Sequence, residues 1–311
     1  MKNCPPAILQ VGILIANLPE VWLCVTMNLK FLQSEGKGGQ AVQNKELGEI
    51  LAKNQIFSYG VCDYQGISEF LPCRNRERIP ENAQSVIVCA FPYYTGEHPG
   101  ANVCKYAMVP DYHYVVRQIL NQAAQELEAY FGGAFVGFSD VSAIPERECA
   151  LASGLGFPGV NGLVIHPAYG TFFVIGELVT DCRFIFDSPL TQTCMECGAC
   201  VNACPAGAIS RQGVDYTHCL SEITQKKGEL TLQEQELVRG NGLMWGCDCC
   251  QNCCPHNRNL PITYLEAFAS DVEPVVTREN LNALCKTRAF GYKGKTLLKR
   301  NLELIGESEP K

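Results

Sequence analysis

The chain has 311 residues, 47% hydrophobic and 18% charged, with a net charge of −7. That length supports one large or two smaller packed domains, and the acidic balance lacks the basic excess of a dedicated nucleic-acid binder, a local basic strip aside. The 19 cysteines, an odd number in tight groups, speak against a disulfide framework and for metal in a reducing, cytoplasmic setting.

Residues 5–27 are apolar but broken by Pro5, Pro6, Asn17, Pro19 and Glu20. A spanning helix needs about 20 apolar residues without such breaks, and a signal peptide needs a basic start and a small-residue cleavage site. We read residues 1–43 as an N-terminal extension with no membrane role, Met27 being an alternative start and EGKGGQAVQ (35–43) a flexible joint. A helix is predicted over 44–54 and a strand over 56–64. The compact β-branched run SVIVCAFPYY (85–94) predicts a buried strand. DYHYVVRQILNQAAQELEAYF (111–131) predicts a long amphipathic helix capped by Asp111. FVGFSD (135–140) predicts another strand, PERECALASGLG (145–156) a helix entered at Pro145 and stopped by glycine, and TFFVIGELV (171–179) a further strand. Alternating elements over 44–189 give an α+β fold class, a layered α/β domain. The segment 190–260 is organised by cysteine, and 261–311 is a helical tail with its clearest helix at ENLNALCKTR (279–288).

TCMECGACVNACPAGAI (193–209) carries Cys194, Cys197, Cys200 and Cys204 at C-x2-C-x2-C-x3-C, followed by Pro205. Two-residue gaps let one loop wrap three corners of a 4Fe–4S cube, and the fourth cysteine of such a run serves a second cube. GCDCCQNCCPHN (246–257) supplies the matching C-x2-C-x3-C-P, and Cys219 completes eight ligands. Cluster one takes Cys194, Cys197, Cys200 and Cys254; cluster two takes Cys204, Cys219, Cys247 and Cys250. Cys249 and Cys253 are left over and able to exchange roles with a neighbour. Zinc also binds C-x2-C pairs, but its sites do not need the x2–x3–Pro continuation. The spacing therefore predicts a two-cluster, ferredoxin-like domain.

A bare two-cluster ferredoxin is far shorter, so residues 44–189 hold another task. No G-x-G-x-x-G follows a strand, and AFGYKGKT (289–296) lacks the first glycine of a P-loop and reads as a basic tail turn. CKYAMVPDYH (104–113), SDVSAIPERECALASGLGFPGVNG (139–162), PAYGTFFVIGELVTD (167–181) and both cysteine motifs together resemble the epoxyqueuosine reductase family, colinearly over about residues 44 to 260. That resemblance implies a cobalamin- and iron–sulfur-dependent reductase, related to reductive dehalogenases, that removes an epoxide oxygen in the last step of queuosine synthesis in tRNA.

The chemistry consumes two electrons and two protons, so a proton donor must stand near the leaving oxygen. The family's donor is an Asp shortly before the E-R-x-x-A helix, which implies Asp140 here; read alone, Asp140 is equally a loop or capping carboxylate. Cys104 and Asn161 match positions that approach cobalamin in the family. Tyr112 and His113 face the corrin or line the pocket, though His113 also suits a solvated first turn. Arg147 binds a cofactor or substrate oxyanion, or pairs with Glu146 or Asp140. The chain departs from the family at Gly159-Val160-Asn161, where Lys is usual before Asn, and at Met108-Val109-Pro110 before Asp111. Long members carry a C-terminal helical-repeat domain that grips tRNA; this sequence has RAFGYKGKTLLKRN as its basic segment, so a short form is expected. The partner is the queuosine anticodon loop of tRNA or a smaller substrate, with a low-potential donor such as a ferredoxin or flavodoxin, and the protein is expected to be a cytoplasmic monomer. The competing class is a non-catalytic two-cluster electron-transfer protein, which would bind no corrinoid.

Overall fold

The computed structural model describes residues 44–306; the expectations for the N-terminal extension fall outside them. Helix α1 (Asn44–Lys53) leads into strand β1 (Tyr59–Asp63), and the eight residues of β2 (Ser85–Pro92) are all buried, as expected of a central strand covered on both faces. Helix α2 (Tyr112–Phe131) begins where the Asp111 carboxylate accepts the His113 backbone N–H, and it stops at Gly132 with φ +71°. Strand β3 (Phe135–Ser139), helix α3 (Glu146–Ala152) and strand β4 (Phe173–Thr180) follow. The sheet order is β1-β2-β4-β3 with every pairing antiparallel. The α+β class therefore holds.

Each sheet face has its own covering helix. Val116, Leu120, Ala123 and Leu127, recurring at helical spacing, lay α2 onto Ile87, Cys89, Phe91 and Leu178. Close approach needs Gly176 on β4, where an added Cβ would meet Leu120, Phe91 and Val116, each at 2.9 Å. The opposite face, with Val86, Val88, Phe138 and Val179, is covered by Ile144, Cys149 and Ala150 of the turn and helix α3. Fully burying one such Leu or Phe side chain is worth about 1.5–3 kcal/mol.

The cysteine-rich segment is stitched onto this layer. Val103 bridges in parallel to Trp245, and the Lys105 backbone N–H donates to Asp248 Oδ2 at 2.6 Å. Buried Lys105 Nζ donates to Asn252 Oδ1 at 2.7 Å and to Glu97 Oε2 at 3.3 Å. Helices α4 (Leu220–Gln225) and α5 (Leu232–Asn241) pack on each other, and α5 carries a Thr231/Glu234 capping box.

The tail differs from expectation in two places. The segment 279–288 holds only the single turn Leu281–Leu284, whereas the expected basic turn opens into the ten-residue helix α6 (Lys295–Leu304). Its Leu297, Leu298 and Leu302 join Trp245 and Phe290 in one core, so apolar spacing overrides the glycines before it. Arg288 is not a surface cation: it is 3% exposed and donates to Asp271 Oδ1 at 2.6 Å and to the Met108 carbonyl at 3.1 Å. Among the described residues, no helix is long and apolar enough to cross a membrane.

Candidate active site and cluster region

Strand β3 ends at Ser139, and Asp140 leaves it with φ +64°, a conformation uncommon for any residue but glycine. Its backbone N–H is held by Glu146 Oε1 at 2.9 Å, and Ser142 N–H donates to its carbonyl at 2.6 Å. Such strain persists only where the surroundings over-determine it, and it gathers at functional sites. The result is a half-exposed carboxylate turned toward the first turn of α2. Asp140 Oδ2 meets His113 Nε2 at 2.7 Å and accepts the Tyr112 hydroxyl at 3.3 Å. The other ring nitrogen, Nδ1, lies 2.6 Å from Asp111 Oδ1.

The electrostatics follow from those bonds. Burial alone would lower the His113 pKa, but the hydrogen bonds and charges of Asp111 and Asp140 outweigh it and lift it to about 9. The same bond to His113 holds the Asp140 carboxyl below its ordinary value, against a smaller opposing effect of burial. At neutral pH the pair therefore keeps one proton, shared along the short His113–Asp140 bond.

Two further acids sit beneath. Burial, then the Asp140 charge, pushes Glu146 up to about 8. Glu177 on β4 is 0% exposed and raised well above its ordinary value, chiefly by burial. Its Oε2 accepts the Ser142 hydroxyl at 2.9 Å, while Oε1 has no partner. Sequence reasoning missed Glu177; Glu embedded in the β-branched run FVIGELV was the available signal. It also missed Tyr292, an exposed ring 6.5 Å from the His113 ring.

The remaining expected contacts separate. Arg147 is exposed beside Glu146; its Nε donates to the Gly162 carbonyl at 3.0 Å, and its other N–H groups meet no partner among the described residues. Asn161, the neighbour of that glycine, is buried. Cys104 is 1% exposed and packs in the core with Trp245 and Met108, where a Cβ on Gly246 would collide with its sulfur. Its thiol fills a packing position beside these side chains.

The cysteine loop winds through Glu196 and Gly198, both with positive φ, and into the short helix Ala199–Ala203. The proline after Cys204 and the one after Cys254 hold those two residues extended, which ends the local turns. Cys194, Cys197, Cys200 and Cys254 line one pocket together with Val160, Asn161 and Ile165. Cys219 and Cys247 neighbour Cys250, and Cys204 Sγ accepts the Ala208 N–H at 3.2 Å. Cys249 sits against Cys247, whose hydrogen bond holds it down to about 6. The described cysteines are all free thiols, and none of them joins two other acidic, thiol or imidazole groups in a single-ion site. Four thiols spaced around one pocket suit a cube with separate corners.

Comparison with known proteins agrees with this arrangement. Residues 193–257 match the family model of a 4Fe-4S double cluster binding domain, and residues 74–141 match that of "Epoxyqueuosine reductase QueG, DUF1730". An epoxyqueuosine reductase of Cyclobacterium marinum is 30% identical over 245 residues, covering 73% of this chain and 78% of the relative. Longer relatives are matched over about half their length. The epoxyqueuosine reductase structure from Streptococcus thermophilus superposes with a TM-score of 0.72 at 23% identity, over 85% of this chain and 81% of that one. An epoxyqueuosine reductase bound to an epoxyqueuosine-modified tRNA-Tyr stem loop gives 0.73 at 20% identity, over 84% and 80%. By sequence identity over that extent, with a shared fold, the chain belongs to the epoxyqueuosine reductase family.

Proposed function

We propose that this chain is a corrinoid- and iron–sulfur-dependent reductase that converts epoxyqueuosine to queuosine in tRNA. The observation that carries the reading is the 2.7 Å contact between His113 Nε2 and Asp140 Oδ2 on a strained, half-exposed turn. Opening the epoxide to an alkene breaks both C–O bonds, forms C=C, takes up two electrons and two protons, and releases water. His113 holds a proton at Nε2, and Asp140 Oδ2 is the atom that passes it to the departing oxygen. Tyr112 keeps that carboxylate oriented through its hydroxyl. Glu146, largely protonated at neutral pH, stands behind the turn as a second proton source.

Cobalamin, when bound, supplies the reducing equivalents at the epoxide carbon. Tyr112, His113 and Arg147 are the residues that would hold it: they border the Asp140 turn, and the guanidinium of Arg147 has donors to spare for the amide and phosphate groups of such a cofactor. Cys194, Cys197, Cys200 and Cys254 would hold one cluster, and Cys204, Cys219, Cys247 and Cys250 the other. Electrons would enter from a low-potential carrier such as a ferredoxin or flavodoxin, in the cytoplasm, to a monomer. Binding to an anticodon loop is supported by exposed Tyr292 beside His113, with Lys293 Nζ 5.3 Å from its ring centroid. An aromatic face with an adjacent cation is what an unstacked base and its phosphate require.

The test is anaerobic purification with added cobalamin, assay of iron, sulfide and cobalt, then turnover of epoxyqueuosine-tRNA. About eight irons and one cobalt per chain, with queuosine formed, are expected. Eight irons without cobalt uptake would replace this reading with the electron carrier.

A further inference from the structure

Strand β3 stands at one end of the sheet order, and the chain between β1 and β2 runs beside it. Three residues of that segment, taken in reverse chain order, donate to three carbonyls along β3 and the turn after it. Arg78 Nη2 reaches the Gly137 carbonyl at 3.3 Å, Asn75 Nδ2 the Val141 carbonyl at 2.9 Å, and the Leu71 backbone N–H the Ala143 carbonyl at 2.9 Å. Asp140 falls between the first carbonyl and the second. Val141 is 58% exposed, so its carbonyl rather than its side chain is the grip on that residue. The segment is itself fastened. Ile67, Phe70 and Ile79 pack on the core of Val86 and Val88, the Phe70 ring lies 5.5 Å from that of Tyr64, and the Arg78 guanidinium lies 5.0 Å from the Phe138 ring.

We propose that residues 67–79 form a strap that holds the Asp140 turn in its strained conformation, with Asn75 as a positioning residue for the Asp140 carboxylate. A positive φ at a residue other than glycine persists only where its surroundings over-determine it. Glu146 grips the Asp140 N–H and Ser142 grips Glu177, both from within the domain. The strap adds the opposing hold, and Asn75 supplies the donor closest in sequence to the carboxylate, one residue beyond it. A proton donor displaced from its acceptor loses rate steeply, so a bond that keeps the turn in place acts on kcat while leaving substrate affinity alone. The role in turnover rests on the proposed reductase reading; the hold on the turn does not.

The experiment compares the reconstituted full chain as wild type, Asn75→Leu and Asn75→Gln, by amide hydrogen exchange and by steady-state turnover of epoxyqueuosine-tRNA. Asn75→Leu removes the donor, and Asn75→Gln keeps an amide donor on a longer arm. Loss of one hydrogen bond should speed exchange in the stretch 138–146 about fivefold in Asn75→Leu, with exchange elsewhere, iron content and Tm as in the wild type. In that variant kcat should fall, by at most about tenfold, at constant KM, and Asn75→Gln should recover both readouts. Unchanged exchange over 138–146 in Asn75→Leu overturns the strap. Faster exchange with unchanged kcat overturns the positioning role, and faster exchange throughout the domain with a lower Tm overturns it in favour of general destabilisation. A wild type that turns over no epoxyqueuosine-tRNA removes the reductase reading, and the exchange comparison still decides the strap.

Discussion

The imidazole of His113 is gripped at both nitrogens, by Asp111 at 2.6 Å and by Asp140 at 2.7 Å. One carboxylate is anchored at the helix cap and the other rides a strained turn, so the ring ties the start of α2 to the loop after β3.

Asp140→Asn keeps the donors' partner atom and suits the positive φ, since Asn tolerates that region. It cannot carry the proton. Iron and cobalt content should match the wild type while turnover falls by about 10²–10⁴-fold. Full turnover in steady-state assays of the variant would remove Asp140 from the chemistry.

The His113 pKa of about 9 lies above the ordinary 6.5. Its two ion pairs therefore contribute stability that is complete below about 6.5 and is lost as pH rises through about 9. Turnover should be flat through neutrality and decline in the alkaline range, first as Glu146 loses its proton near pH 8 and then as His113 does near pH 9. Asp111→Asn should move that alkaline limb downward, read from kcat against pH.

Cys200→Ser should remove one cluster and leave about four irons per chain. Unchanged iron content would refute the ligand set in the pocket of Cys194, Cys197, Cys200 and Cys254.

Tyr292→Ala should weaken binding of an anticodon stem loop by roughly tenfold, the range of one base-stacking contact, while Tyr292→Phe binds as wild type. Fluorescence anisotropy at fixed salt measures both; equal affinity for all three proteins would place the base elsewhere.

Gly176→Ala forces a methyl against Leu120, Phe91 and Val116 at 2.9 Å. Overpacking of this kind costs about 1–3 kcal/mol, visible as a lower Tm in anaerobic calorimetry.

Local patterns made much of this legible. The apolar spacing of Val116, Leu120 and Leu127 announces α2, Asp111 announces its start, and the run 85–92 announces a strand with two covered faces. Cysteine spacing carries the cluster region because ligand geometry is local to a few residues. What stayed hidden depends on partners distant in sequence. Glu177 is neutralised by burial in β4 and by the charge of Glu146, distant in sequence. Cys104 packs closely on Gly246, far along the chain, where an added Cβ would collide with its sulfur. Arg288 looks like part of a basic strip until Asp271 closes over it.

The Ser142–Glu177 bond has a consequence for motion. Ser142 lies two residues beyond Asp140 in the same turn, and its hydroxyl is moored to a side chain that never meets solvent. Displacing the backbone of this turn away from His113 must therefore either pivot about that mooring or break it, leaving Glu177 with both oxygens unsatisfied. The freedom of the proposed proton donor's turn is thus tied to the floor of the sheet, through a residue that no ligand touches.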